Sequence, residues 1–306
     1  MGGGRWTSND WDSYATTHVR GKSQSQVFAS RAMKPEYDPA QIKLRESRDG
    51  PDNPQATPIV LASDVTGSMG RVAEALMRDG LNTLCKEIYD RLPVPDPHVM
   101  VMAVGDAYTD RAPLQATQFE ADVRLASQVG DLWLEGNGGG NGGESYSSAH
   151  LFAATKTSHD AFEKRGRKGF LFTIGDEPIH DGMTRDQIKR VLGLDVEADL
   201  SAADCLAMAQ RTYDVFHVVI MEGDAGHNLQ GVMRTWKPLL PERLLILEDH
   251  TKLAETVVSA IQVAQGAAID AVAGSWKGGT SLVVANALKG IVAGRQGGRG
   301  VRRLGA

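Results

Sequence analysis

The stretch that most constrains this chain is residues 57–70, TPIVLASDVTGSMG. An apolar run over 59–62 leads into Asp64-Val65-Thr66-Gly67-Ser68, and an amphipathic segment follows directly. That order reads as a buried strand, a tight polar turn and a helix. The turn sets one carboxylate and two hydroxyls at alternate positions, at the carboxyl end of a strand, where open α/β sheets form their sites. A donor set made only of oxygen suits a hard divalent cation, Mg²⁺ first, with Mn²⁺ or Ca²⁺ as alternatives. The same three side chains would serve equally as caps for the orphan amides of the following helix.

Downstream, Met77, Leu81, Leu84, Cys85, Ile88 and Leu92 recur at helical spacing and stop at a proline-rich breaker over 93–97. Strands are expected at 98–105, 114–119, 169–173, 215–221 and 244–247. Helices are expected at 120–129, 144–165, 184–192, 202–211, 229–236 and over a closing stripe of Leu253, Val257, Ala260, Ile261 and Ala264. Strands alternating with helices predict an α/β fold: a doubly wound, mostly parallel sheet with helices on both faces.

Two later loops carry further oxygen donors. Residues 136–143 hold six glycines and two asparagines in eight positions and run into Glu144-Ser145; the strand at 169–173 runs into Gly175-Asp176. With Asp64-x-Thr66-x-Ser68, these loops resemble the von Willebrand factor A domains and their metal-ion-dependent adhesion site, written Asp-x-Ser-x-Ser in the first loop. The resemblance spans roughly residues 57–266. It implies that Asp64, Thr66 and Ser68 serve the metal from the first loop and Asp176 from the third. Glu144 stands where many members have Thr and integrin β subunits have Glu, with Ser145 and Asn141 as weaker candidates. It further implies that Thr66, Ser68 and Glu144 hold the ion, that Asp64 and Asp176 act directly or through water, and that a partner's Asp or Glu fills an open position. Glu144 adds a second close carboxylate, which implies either weaker capture of a ligand carboxylate or a tighter, structural metal.

The segments outside that span read differently. Residues 1–57 form an arm and linker in which Trp6, Trp11 and Tyr14 cluster around a helix-start signal, Ser8-Asn9-Asp10. These aromatics are expected to pack on the central domain or on another subunit. Residues 58–266 are the expected domain, and 267–306 a helical, then Gly/Arg-rich extension whose Leu282, Val283, Leu288 and Ile291 argue for docking. Basic against acidic residues number 19 and 30 over 58–265 but 6 and 1 over 266–306. An acidic domain argues against broad nucleic-acid binding, while the tail alone is expected to touch phosphate or a neighbouring acidic surface.

No run of 18 apolar residues predicts a membrane span, and the first residues lack a secretory layout. Two cysteines, Cys85 and Cys205, on expected helices fit reduced thiols and a cytoplasmic setting. Cytoplasmic bacterial members of the resembled family act alongside MoxR-type AAA+ ATPases, so an adaptor in a bacterium or its virus is the implied role. A self-assembling protein that uses its terminal extensions is the second class.

An enzyme is the remote reading. Thr66-Gly67-Ser68-Met69-Gly70 nearly matches a nucleophile elbow, and Asp176 with His180, His217 or His250 would complete a triad on paper, but Thr66 stands where the first Gly belongs. No Lys follows the glycine-rich loop in P-loop register. The expectation is therefore a binding module with no catalytic residues.

Overall fold

The computed structural model describes residues 4, 7–67, 69, 72, 75, 80–136 and 140–291. Trp6, Ser68, Met77 and the Gly/Arg-rich end lie outside them. Six strands form the central sheet: β1 (Thr57–Asp64), β2 (Pro97–Val104), β3 (Leu114–Ala116), β4 (Gly169–Gly175), β5 (Tyr213–Ile220) and β6 (Leu244–Leu247). Their spatial order is β3-β2-β1-β4-β5-β6, parallel throughout except for the antiparallel edge strand β3. This 3-2-1-4-5-6 order is that of doubly wound α/β folds, with β1 and β4 flanking the point where the winding reverses.

Period-two alternation along each strand divides the core in two. Ile59, Leu61, Val99, Val101, Phe170, Phe172, Phe216 and Val218 point to one side. Val60, Ala62, Met100, Met102, Leu171, Val215 and Val219 point to the other. The first side is covered by α1 (Leu81–Arg91), α2 (Arg124–Gly130), α7 (Leu253–Ala264), α8 (Ile269–Gly274) and α9 (Gly279–Leu288). The second is covered by α3 (Tyr146–Thr155), α4 (Arg185–Leu192), α5 (Ala202–Ala209) and α6 (Ala225–Trp236). Because every strand of the parallel part is buried on both faces, the strands read as nearly continuous apolar runs.

Several elements differ from the sequence expectation. The helix expected over 144–165 ends at Thr155, where Thr155 and Thr157 turn their hydroxyls onto the carbonyls of Leu151 and Ala153. The chain then forms a short strand, Thr157–His159, which pairs in parallel with Arg45–Ser47 of the arm, before one helical turn, Asp160–Glu163. Lys156 fastens this junction by donating to the Ile42 carbonyl at 2.7 Å. The third strand is shorter than 114–119 because the Thr117 hydroxyl, rather than a strand partner's carbonyl, accepts the Val101 N–H at 2.9 Å. Leu92 does not belong to the buried stripe: it is the left-handed C-cap of α1 (φ 44°) and 64 % exposed.

The arm packs on its own chain. Its helix, Ser8–Tyr14, starts one residue earlier than the signal read from sequence, with the Thr7 hydroxyl accepting the Asp10 N–H at 3.1 Å. Trp11, Ala15, Phe28 and Tyr37 enter the same core as α1 and α7. Tyr14 donates to the Ala126 carbonyl and Ser30 to that of Asp131, which ties the arm to α2. Val284, Leu288 and Ile291 are buried in that core from the other end of the chain, while Leu282 is 71 % exposed. Among the described residues no helix is long and apolar enough to cross a membrane.

Truncating a buried indole leaves a cavity worth about 3 kcal/mol or more. Trp11→Ala should therefore lower the unfolding free energy in urea by about 3 kcal/mol, and an unchanged midpoint would mean the arm adds nothing to the core.

Candidate metal centre

Parallel strands end together, so residues just past β1, β2 and β4 meet at one edge of the sheet. Asp64 closes β1, Asp106 follows β2 by two residues, and Asp176 follows β4 directly; all three are fully buried. Glu144, 4 % exposed, is brought to the same edge by a parallel bridge between the glycine-rich loop and the segment after Asp176. Its N–H donates to the Pro178 carbonyl at 2.9 Å, and its carbonyl accepts the His180 N–H at 3.2 Å.

The Asp64 carboxylate is held from both sides. Oδ1 accepts the Thr66 N–H (2.8 Å) and the Thr66 hydroxyl (2.6 Å), and Oδ2 accepts the Tyr146 hydroxyl (2.9 Å). Tyr146 lies so close to the ends of β1 and β4 that a Cβ at Gly175 would collide with its hydroxyl. Asp176 Oδ2 accepts the Asp224 N–H at 2.7 Å, and a Cβ at Gly223 would fall on that carboxylate. Below them the rings of Tyr146, His217 and Trp236 pack together, with His217 stacked on Trp236 at 3.6 Å. The Trp236 indole donates to the Glu177 carbonyl and the Thr235 hydroxyl accepts the Ile179 N–H, so α6 carries the loop after Asp176.

The electrostatics are those of acids short of positive charge. Burial, then repulsion from Asp176, pushes the Asp64 carboxyl up to about 7. Burial pushes Glu144 up further, reinforced by the charges of Asp64, Asp106 and Asp110. Glu177 is raised by burial, by a hydrogen bond with Asp224 and by the charge of Asp176. Among the described residues no Lys or Arg forms an ion pair with Asp64 or Glu144, and Glu144 Oε2 is buried without a hydrogen-bond partner.

Asp106 is the residue that sequence reasoning passed over, although its place past a strand repeats that of Asp64 and Asp176. Burial raises its carboxyl, but the nearby His180 ring at 3.3 Å and hydrogen bonds from the Tyr108 N–H and Asn141 more than offset this and hold it at about 2. Ser145 and Asn141, the weaker ligand candidates of the second loop, are both spent here: the Ser145 hydroxyl donates to Oδ1 at 3.1 Å and the Asn141 amide to Oδ2 at 2.6 Å. Tyr146, Glu177 and Asp224 also escaped the sequence reading; a tyrosine opening a helix carries no signal for its role.

The five residues expected to serve a metal thus fall as follows. Asp64 and Thr66 are hydrogen-bonded to each other, and Glu144 and Asp176 lie within electrostatic reach of Asp64. Ser68 lies outside the described residues. The donors are all oxygen and one carboxylate oxygen is orphaned, which fits a hard cation. Among the described residues, the carboxylate and imidazole ligands that draw within 4.8 Å of one another are instead Glu222, Asp249 and His250. There the His250 ring meets Glu222 at 2.5 Å and Asp249 caps the turn through Thr251, so the cluster is occupied by a hydrogen bond and a cap. Of the other histidines named for a triad, His217 Nδ1 bonds Thr173 at 2.9 Å and His180 faces Asp106 at 3.3 Å.

No family model matches this chain, and no curated protein does. Among solved structures it is similar to the pilus adhesin SpaC from Lactobacillus rhamnosus GG in two crystal structures. The TM-scores are 0.43 and 0.46 at 11 % identity, over 70 % of this chain and 31 % of that one. It is also similar to the conserved hypothetical protein BatB from Bacteroides thetaiotaomicron, at TM-score 0.38 and 12 % identity, over 67 % of this chain and 97 % of that one. The chain thus spans about a third of the adhesin's length.

Two outcomes follow from this geometry. A carboxyl raised in the folded state stabilises fully below its unfolded value and loses that contribution as pH rises through the folded value. In EDTA, the melting temperature should therefore fall as pH is taken from about 5 to about 8, the window set by Asp64. Tyr146→Phe removes a donor from a buried carboxylate and should cost about 1–3 kcal/mol, read by urea unfolding at pH 8.

Proposed function

We propose that this chain is a metal-dependent protein-binding module of the von Willebrand factor A type. The observation that carries the reading is the group of desolvated, mutually repelling acids at the carboxyl edge of the sheet, with Glu144 Oε2 left without a donor. Such an arrangement is stabilised by a cation. Thr66, Ser68 and Glu144 would hold Mg²⁺, with Asp64 and Asp176 behind them, each already fixed by a backbone N–H. When bound, the ion supplies a positive centre that accepts a carboxylate from a partner's Asp or Glu. The chain's own part is to set the donors in place. Tyr146 and Thr66 orient Asp64, the Asp224 N–H orients Asp176, and the Asp106 hub fixes the second loop through Asn141 and Ser145.

Beside this edge Tyr108, 57 % exposed, packs edge-on against His180 and offers an aromatic contact at the rim, the kind of residue interfaces favour. The role that accords with the resemblance is an adaptor in the cytoplasm for a complex such as a MoxR-type AAA+ ATPase, with no chemistry of its own.

The test is a thermal melt in EDTA, then with Mg²⁺, Mn²⁺ or Ca²⁺, on the native protein and on Glu144→Ala and Asp64→Ala. At a hundredfold over the dissociation constant, binding to the folded state adds about 2.7 kcal/mol, a rise of about 4 °C for a chain of this size. The rise should vanish in both variants. No rise with any of the three ions, together with no metal by elemental analysis, would overturn the reading.

A further inference from the structure

At the opposite end of the sheet from Asp64 and Asp176, the chain enters β4 through Lys164-Arg165-Gly166-Arg167-Lys168, four cations in five residues. The surrounding region, residues 58–265, holds 19 basic against 30 acidic residues, so this run stands against the local balance. The described interactions engage three of its four cations and leave one. Lys164 pairs with Asp160 at 2.6 Å, and Arg165 reaches Asp49 at 2.7 Å and the Ala56 carbonyl at 2.9 Å. Lys168 donates to the Gln210 carbonyl. The Arg167 guanidinium is exposed and makes no hydrogen bond or ion pair with any described residue, although its backbone N–H is anchored to the Ala161 carbonyl at 2.8 Å.

A cleft of about 570 Å³ opens beside this run, and Arg165, Arg167 and Lys168 all line it. Gly166, in the left-handed region at φ 62°, lets the chain turn between the two arginines. Gln55 and Thr57 supply an amide and a hydroxyl, and Pro95 and Ala264 an apolar lining. The acid in the lining, Asp214, is neutralised by Arg243 at 3.2 Å. The volume is that of a small-ligand site, in which apolar surface supplies area and a few polar groups fix orientation.

We propose that this cleft binds a small phosphate-bearing ligand. Its phosphate would be taken by Arg167 with Lys168 and Arg165, and its organic part would rest on Pro95 and Ala264. A guanidinium with no protein partner presents its planar fork to a tetrahedral anion without breaking an existing bond. The site is separate from the acidic edge and does not depend on a metal there.

The test uses pyrophosphate as probe, in EDTA and at low ionic strength, by calorimetric titration of the full chain. Saturable binding near one equivalent is expected, with affinity reduced about tenfold or more in Arg167→Ala. Because that side chain is exposed and unpaired, the melting temperature of the unliganded variant should match the native one. Asp64→Ala should bind pyrophosphate as the native protein does. Absence of saturable binding would overturn the proposal, as would equal binding by Arg167→Ala, or loss of binding in Asp64→Ala. Citrate binding as tightly as pyrophosphate would overturn the phosphate assignment.

Discussion

Everything at the candidate centre depends on the cost of holding carboxylates together out of water. Parallel strands bring Asp64 and Asp176 to one edge because β1 and β4 are neighbours that end in register, not because the acids attract. Their repulsion, and the loss of hydration, is offset by donors aimed at them: the Thr66 N–H and hydroxyl, the Tyr146 hydroxyl and the Asp224 N–H. The bareness of Gly175 and Gly223 is part of the same arrangement, since a methyl at either would displace Tyr146 or Asp176. The ring packing of Tyr146, His217 and Trp236 then fixes α6, which in turn carries the loop after Asp176.

Asp64 and Asp106 show how environment divides like residues into different roles. Both are fully buried and both stand at the end of a parallel strand. Asp106 is supplied by His180, Asn141, Ser145 and the Tyr108 N–H, and stays an anion at low pH. Asp64 shares its surroundings with Glu144 and Asp176 and is pushed toward neutrality. An acid satisfied by its own protein organises the loop around it, whereas a group of acids raised by one another carries a repulsion that its own protein does not offset.

Described residues of the arm and of the C-terminal extension meet on one face of the sheet. Trp11, Phe28 and Tyr37 from the arm and Val284, Leu288 and Ile291 from the last described helix and the turn after it lie in one core with Phe172 and Phe216. The arm also alters the opposite side of the molecule: pairing of Arg45–Ser47 with Thr157–His159 ends a helix that sequence periodicity would have carried on. Long-range backbone pairing overrides local propensity there, as tertiary context commonly does.

The sequence by itself determined the α/β layering, because a strand buried on both faces has to be apolar almost throughout. It also marked Asp64, Thr66, Glu144 and Asp176, because a polar side chain directly after such a strand, or after a glycine-rich loop, has few places to go except the sheet edge. Only the tertiary structure decided what these residues meet. That Ser145 and Asn141 serve Asp106, that a tyrosine from α3 holds Asp64, and that Arg167 stands unpaired over a cleft all depend on contacts between segments far apart in the chain. Local pattern encodes which face a residue takes within its own element. The identity of its partner is set by how elements dock, and no periodicity records that.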